Sequence, residues 1–303
     1  MNWSKFTLKE GKQLLAVPCV EIVAFSYDSP AASGPGFDRF LRTFAGRFGN
    51  RLTFYRTGDM KRLRPFDGRT LDAPYSWFSD DRVLATKMLS FEVSAGDSQQ
   101  GICPPAVDLI LWGFNDPPYF VFRMALPIEE GDAPDDIVSF VQEALADFPL
   151  ENGYCGYSFF WDKISPKEKD IYTWAGPHLL RHPGFGYGTV MQLSNAAVQG
   201  VVAVNWLTFL GPRITDELGG LEALVSRCPE GVSALPLGKG GTLLRAGQAP
   251  EIGDVNRQDL LPLYRAVGQL VAPSRTTDDA LDDLVIEGMT EEDASDWLRR
   301  FFI

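Results

Sequence analysis

The feature that most constrains the fold of this chain is an apolar run at residues 201–210, with the sequence VVAVNWLTFL. Its density of Val, Ala and Leu predicts a strand that is buried on both faces. The turn-forming pair Gly211 and Pro212 follows directly. The wider stretch 200–257 places its polar residues among aromatic side chains and turns, which is typical of a rigid scaffold and not of a catalytic centre.

Local patterns on the C-terminal side of this run predict a helix and a hairpin. Residues 215–228 are predicted to be helical, with Thr215 as the N-cap, because a Thr hydroxyl can accept from the free amides of the first turn. Two short strand patterns, 232–237 and 242–246, flank the glycine-rich segment 238–241. Glycine supplies the positive φ angles of a tight turn, so we expect a β-hairpin here.

Other segments alternate between strand and helix patterns. Phenylalanines recur at helical spacing in residues 37–48, and a second amphipathic helix is predicted over 134–148. The alternation lacks the regular spacing of a barrel or a dinucleotide-binding fold. We therefore predict an α+β fold with mixed or antiparallel sheets and packed helices, arranged as two abutting α/β sub-domains.

Three ranges describe the predicted domain organisation. Residues 1–150 form an N-terminal α+β half, and residues 151–275 form a C-terminal α+β half. Residues 276–303 are predicted to be an acidic C-terminal tail or helix. A chain of 303 residues is long enough to bury a substantial core. Whether the two halves arose by duplication stays open.

Charge is distributed unevenly along the chain. The net charge is −12, yet residues 1–70 carry 12 Lys and Arg against six Asp and Glu, so the remaining residues carry −18. Phosphate binding requires clustered cations, so we predict no nucleic-acid partner. No apolar run approaches the roughly 20 residues of a bilayer span, which predicts no membrane partner. The N-terminus lacks the apolar core of a signal peptide, so we expect a cytoplasmic protein with reduced cysteines.

Two segments concentrate the acidic residues. Residues 278–296 hold nine acids and no base, and residues 124–151 hold eight acids and no base. Such runs are usually solvated faces, but each segment could also present an anionic surface to a cationic partner. The residues predicted to contact a partner, on charge alone, are Asp278, Asp279, Asp282, Asp283, Glu291 and Glu292.

Each catalytic or metal-binding motif that the sequence suggests lacks a required residue or spacing. The two histidines, His178 and His182, lie four residues apart, but Leu179 stands where the hydrolytic zinc motif requires Glu. The segment 238–241 fails the spacing of a phosphate-binding loop. A Cys155–His178 nucleophile and base pair has no orienting third group that spacing can identify. We therefore predict no catalytic residue, no cofactor and no metal.

Several segments together carry a family resemblance, over roughly residues 150–303. They are RHPGF at 181–185, VNWLTFLG at 204–211, LGG at 218–220, AGQAPEIGDVNR at 246–257, LPLYR at 261–265 and WLRRF at 297–301. In order and spacing these segments resemble the bacterial type VI secretion immunity proteins of the TsiV type.

The resemblance implies a non-enzymatic immunity protein that binds a cognate toxic effector and blocks it. It implies no catalytic residues, and the shared motifs look like determinants of the fold. The charge pattern adds the expectation of a basic effector, in particular a cytoplasm-acting nuclease whose active site is occluded. A carboxylate-based small-molecule enzyme and a non-catalytic adaptor of the secretion machinery remain as alternatives, and a homo-oligomer stays open.

Overall fold

A computed structural model of the chain describes residues 1–97, 99–112, 118–186 and 190–302. Within these residues, eleven strands form one antiparallel sheet. In chain order they are β1 (Leu8–Glu10), β2 (Gln13–Ser26), β3 (Phe54–Thr57), β4 (Arg64–Pro65), β5 (Met88–Asp97), β6 (Gly101–Trp112), β7 (Tyr119–Pro127), β8 (Asn152–Phe160), β9 (Leu207–Leu210), β10 (Val232–Leu237) and β11 (Gly241–Ala246).

The long strand β2 is the centre of this sheet. The spatial order is β10-β11-β9-β8-β2-β7-β6-β5-β3-β4, and β1 pairs separately with β2. On one edge β2 pairs with β7, and on the other with β8, so strands from before and after residue 150 meet on it. The predicted α+β class with an antiparallel sheet is confirmed. The division into ranges 1–150, 151–275 and 276–303 stays a prediction.

Helices cover the sheet. They are α1 (Pro30–Phe48), α2 (Asp72–Phe78), α3 (Asp81–Thr86), α4 (Pro134–Ala144), α5 (Glu168–Arg181), α6 (Val190–Ala197), α7 (Pro212–Glu217), α8 (Gly220–Arg227), α9 (Pro262–Val271), α10 (Asp278–Asp282) and α11 (Glu291–Arg299). None of these described helices combines the length and the apolar character that a membrane span demands.

Helix α1 illustrates why the helical spacing of its phenylalanines decides its position. Phe37, Phe40 and Phe44 are fully buried, and the ring of Phe40 lies 3.5 Å, centroid to centroid, from that of Phe122 on β7. Residues three and four apart share one helix face, so a single stripe of rings faces the sheet. The predicted helix is confirmed, although it begins earlier, at Pro30.

The predicted helix over 215–228 is wrong as a single element. Gly219 and Gly220 have φ angles of +91° and +86°, and this left-handed pair separates α7 from α8. Thr215 is not an N-cap, because it lies inside α7 with its buried hydroxyl 3.3 Å from that of Thr242. Pro212 at the first helical position starts α7 instead, where a missing amide proton costs nothing.

The apolar run at 201–210 is buried as predicted, but only Leu207–Leu210 forms a strand. Residue Val201 makes a parallel bridge to Arg275, and the Oδ1 atom of Asn205 accepts from the amide of Trp206 at 2.8 Å. The side chain thus supplies a bond that a strand partner would otherwise provide. The predicted hairpin of β10 and β11 is confirmed, with residues 238–240 as its turn.

Candidate partner-binding surface

Five of the six predicted contact residues lie on α10 and α11, two short helices that pack on each other, and the sixth, Asp283, is the C-cap of α10. Both helices have local signals for their starts. The hydroxyl of Thr277 accepts from the amide of Ala280, and that of Thr290 accepts from the amide of Asp293 at 3.1 Å. Acidic residues in the first turns favour the positive end of the helix dipole. The acids therefore stabilise these helices as well as charging their surface.

Two of the six acids are neutralised within the chain. The guanidinium of Arg299 on α11 donates to Asp278 at 3.0 Å and to Asp282 at 2.8 Å. Arg275 adds a bidentate contact to Asp278 at 2.8 and 2.9 Å. Hydrogen bonds from Arg275 and Arg299 lower the pKa of Asp278 from 3.8 to about 2. These two carboxylates join α10 to α11 and to the chain before it.

The other four acids define what we call the C-terminal acidic surface: Asp279, Asp283, Glu291 and Glu292. All four are exposed. Within the described residues, no ion pair or side-chain hydrogen bond engages them. Carboxylates without an internal partner are free to meet cations on another protein, and clustered charge of one sign accelerates such encounters.

An apolar groove borders α11. Its volume is about 190 Å³, and Trp297, Phe301 and Asp296 contribute to its wall from the C-terminal segment. Exposed apolar side chains line the groove as well, and they are Leu180, Val255 and Leu260. Binding energy at protein interfaces concentrates where an anchor side chain fills such a pocket. The groove therefore adds an apolar feature that charge counting along the sequence missed.

The second acidic segment, residues 124–151, is more heavily engaged inside the molecule. Four of its eight acids form ion pairs with bases from distant parts of the chain: Glu130 with Arg47, Asp135 with Arg245, Asp147 with Arg39, and Glu151 with Arg213. These pairs connect α4 and its flanking turns to α1, α7 and β11. Half of the acids in this segment therefore contribute to the structure through ion pairs.

Charged side chains also lie inside the molecule, on neighbouring strands. Arg56, Glu92, Asp108 and Arg123 stand opposite one another in register on β3, β5, β6 and β7. We call this row the charge ladder. Directly opposite residues in antiparallel strands point to the same face, so the ladder forms one polar strip on the sheet.

Each carboxylate in and beside the ladder has a cationic partner. Arg56 contacts Glu92 and Asp162, Lys163 contacts Asp108, and Arg123 contacts Glu21. Burial lowers the pKa of the Lys163 ammonium to about 8, although the Glu92 and Glu21 charges raise it. Pairs of this kind stabilise a fold only if both members are present, because either charge alone would be buried without compensation. The arrangement fits a scaffold, because every carboxylate in it contacts at least one cation.

The histidines and cysteines considered from sequence have structural surroundings. His182 is buried, and its Nδ1 atom donates to the carbonyl oxygen of Gly253 at 2.6 Å. Burial raises the pKa of the Cys155 thiol well above its usual value, which is the opposite of an activated nucleophile. The described residues contain no group of three or more His, Cys, Asp or Glu side chains placed to hold a metal.

The shared sequence motifs meet at one place on the fold. Arg181 donates to both carboxylate oxygens of Asp254, at 3.1 and 2.9 Å, and the Gly184 amide donates to the Ile252 carbonyl at 2.9 Å. From the C-terminus, Arg300 donates to the Pro183 carbonyl at 2.7 Å. Three distant motifs thus bind one another through backbone and side chain, as expected of fold determinants.

A family model and a solved structure are similar to this chain. A family model with the description "TsiV: Type VI immunity for VRR-NUC" matches residues 37–301. The fold is similar to that of the solved Pseudomonas aeruginosa T6SS protein PA0821, with a TM-score of 0.79 over 95% of this chain and 83% of that chain. The two sequences are 18% identical, so this likeness concerns the fold. Among curated protein sequences, no relative matches.

Proposed function

This chain belongs to the TsiV family, described as type VI immunity for VRR-NUC, and we propose that it binds and neutralises a nuclease effector inside the producing cell. The match over residues 37–301 is the observation that carries the proposal, because it spans nearly the whole fold. Protection by this route needs no chemistry. A stable complex that covers the active site of the nuclease is sufficient.

We propose that the effector contacts the C-terminal acidic surface and the adjoining groove. A nuclease must attract phosphate, so its substrate-binding face is cationic. Asp279, Asp283, Glu291 and Glu292 offer unpaired carboxylates to such a face, while Leu180 and Leu260 offer apolar contacts beside it. Charge would then steer the encounter, and an apolar anchor would slow dissociation.

The proposed mode of action is steric and stoichiometric. One chain would cover the active site of one nuclease molecule and exclude DNA or RNA from it. The paired carboxylates of the charge ladder and the buried thiols support a role without catalysis, because each is either neutralised or protonated. A protein of this kind would act where the nuclease would find its substrate, in the cytoplasm.

Survival of cells tests this proposal. The nuclease domain of a cognate VRR-NUC effector would be expressed in a sensitive strain, alone and together with the chain. We expect death in the first case and growth in the second, with loss of protection when the four acids of the C-terminal acidic surface are reversed to Lys. Equal killing with and without the intact chain, at matched expression of both proteins, would reject the proposed function.

A further inference from the structure

Three side chains around Gly186 carry buried polar atoms. These atoms are Glu21 Oε2, the Tyr154 hydroxyl and Asn205 Nδ2, and each parent residue is at most 2% exposed. Among the described residues, none of these three atoms has a hydrogen-bond partner. A Cβ atom added to Gly186 would lie 3.1 Å from Glu21 Oε2 and 3.6 Å from Asn205 Nδ2, so the three side chains converge around this glycine.

The orientations of these side chains are fixed by their other atoms. Glu21 Oε1 accepts from Arg123, and Asn205 Oδ1 accepts from the Trp206 amide at 2.8 Å. The Asn205 amide group therefore has to present its Nδ2 donor. The site offers one carboxylate acceptor, one amide donor and one hydroxyl that can do either. A buried polar atom that makes no hydrogen bond destabilises the fold, so three at one place indicate that a ligand binds there.

A small cavity lies beside Tyr154 and Asn205, and Gly186, which Glu21 Oε2 approaches, forms part of its wall. Its volume is about 10 Å³, and its wall includes Tyr154, Gly186, Asn205 and Arg300 together with apolar side chains such as Leu193. That volume is close to what one buried water molecule occupies. A cation would be repelled by the guanidiniums of Arg123 and Arg300, and an anion would be repelled by Glu21. A neutral molecule that both donates and accepts meets all of these conditions.

We propose that this cavity is a built site for one water molecule. The water accepts from Asn205 Nδ2 and from the Tyr154 hydroxyl, and it donates to Glu21 Oε2. Residues from β2, β8 and the segment before β9 are thereby joined. Trp297 and Leu298 of α11 close the same cavity, so the site also holds α11 against the sheet. This inference concerns the free chain and does not depend on the effector.

A high-resolution crystal structure of the unliganded chain is the direct test. We expect one solvent peak within hydrogen-bond distance of Glu21 Oε2, the Tyr154 hydroxyl and Asn205 Nδ2. A bromide soak separates the alternatives, because an anion site would give an anomalous signal at this position. A dry cavity in which the three side chains bond to one another, or a bromide peak, would overturn the proposal.

Two variants extend the test to solution. Gly186→Ala places a methyl group in the space of the water and should lower the Tm, whereas the matched control Gly46→Ala meets open space on α1 and should not lower it. Tyr154→Phe removes only one partner of the water and should lower the Tm by about 2–4 °C. An unchanged Tm for Tyr154→Phe would contradict the site even if Gly186→Ala fails to fold.

Discussion

Arg299 on α11 donates its Nε to Oδ1 of Asp278 on α10 at 3.0 Å, and this bond helps to divide the six predicted contact residues into two classes. Asp278 and Asp282 form internal ion pairs with Arg275 and Arg299. Acids of the other class face solvent. The proposed function therefore depends on acids without an internal ion pair, and changing them should cost the fold only the helix-dipole stabilisation of Asp279, Glu291 and Glu292 in the first turns.

Charge reversal should separate partner binding from stability. Replacing Asp279, Asp283, Glu291 and Glu292 together by Lys should weaken binding to the effector by at least about 100-fold, because close charge pairs at interfaces contribute more than 1 kcal/mol each. The Tm should fall only modestly, because these acids have no internal ion pair and only Asp279, Glu291 and Glu292 lose a favourable position in the first helix turns. Isothermal titration calorimetry with a catalytically inactive effector measures the first quantity, and thermal unfolding measures the second.

The matched control carries the same charge change on the other acidic segment. Glu129, Asp132, Asp136 and Glu143 have no ion pair within the described chain, and their replacement by Lys should leave the affinity within a few-fold of the parent. If this control loses binding while the first variant keeps it, the effector binds at α4 and the C-terminal acidic surface is wrongly assigned.

Asp278 should make stability depend on acid pH. Its folded pKa of about 2 lies below the ordinary 3.8, so its contribution is present above pH 4 and disappears as the pH falls towards 2. Asp278→Asn should therefore be less stable than the parent at neutral pH and show a shallower loss of stability between those values. Urea unfolding at a series of pH values measures this. Asp279→Asn is the control. If the unfolding free energy of both variants falls equally with pH, the predicted contribution of Asp278 is contradicted.

Removing one partner of the Glu21–Arg123 pair should destabilise the fold more than replacing both residues. Their side chains are 0% and 1% exposed, so Glu21→Gln leaves a buried guanidinium without compensation and should cost about 3–5 kcal/mol of unfolding free energy. Replacing both residues by Met should recover most of that loss. Asp38→Asn at the exposed Arg42–Asp38 pair should cost less than about 1 kcal/mol. Urea denaturation measures these unfolding free energies, and equal losses at the Glu21–Arg123 and Arg42–Asp38 pairs would contradict the prediction.

Gly268 on α9 should not tolerate a side chain. A Cβ atom there would lie 1.8 Å from the carbonyl oxygen of Phe301, in the C-terminal segment. Gly268→Ala should therefore destabilise the chain by about 1–3 kcal/mol, since the segment must move. Gly46→Ala, in an open part of α1, should instead gain up to about 1 kcal/mol. Thermal unfolding measures the change in stability for both variants. A gain in stability for Gly268→Ala would show that the C-terminal segment packs elsewhere.

Features that depend on residues close together in the sequence were predictable. The phenylalanine stripe of α1 and the hairpin of β10 and β11 follow from spacing and turn chemistry. The break at Gly219 and Gly220 was missed because the apolar pattern continues across it. Such a pattern records burial, and it does not record the φ angle that two glycines adopt.

Features that depend on strand pairing were not predictable. Arg56, Glu92, Asp108 and Arg123 are far apart in sequence, and only the order of strands brings them into register. The acidic C-terminal segment shows a related limit. Its charge predicted an acidic tail or helix, and it did not indicate that Leu281, Trp297 and Phe301 of this segment are buried. Charge counting identified the acids but could not separate Asp278 and Asp282, which Arg299 binds, from the four of the C-terminal acidic surface.

The central claim is that this chain blocks a nuclease by binding it, and a titration of nuclease activity tests this most directly. Purified chain would be added to a fixed amount of the effector nuclease domain, and DNA or RNA cleavage would be measured at each ratio. We predict that activity falls linearly and reaches zero at one chain per nuclease. Residual full activity at excess chain, or inactivation by far less than one equivalent, would contradict the claim.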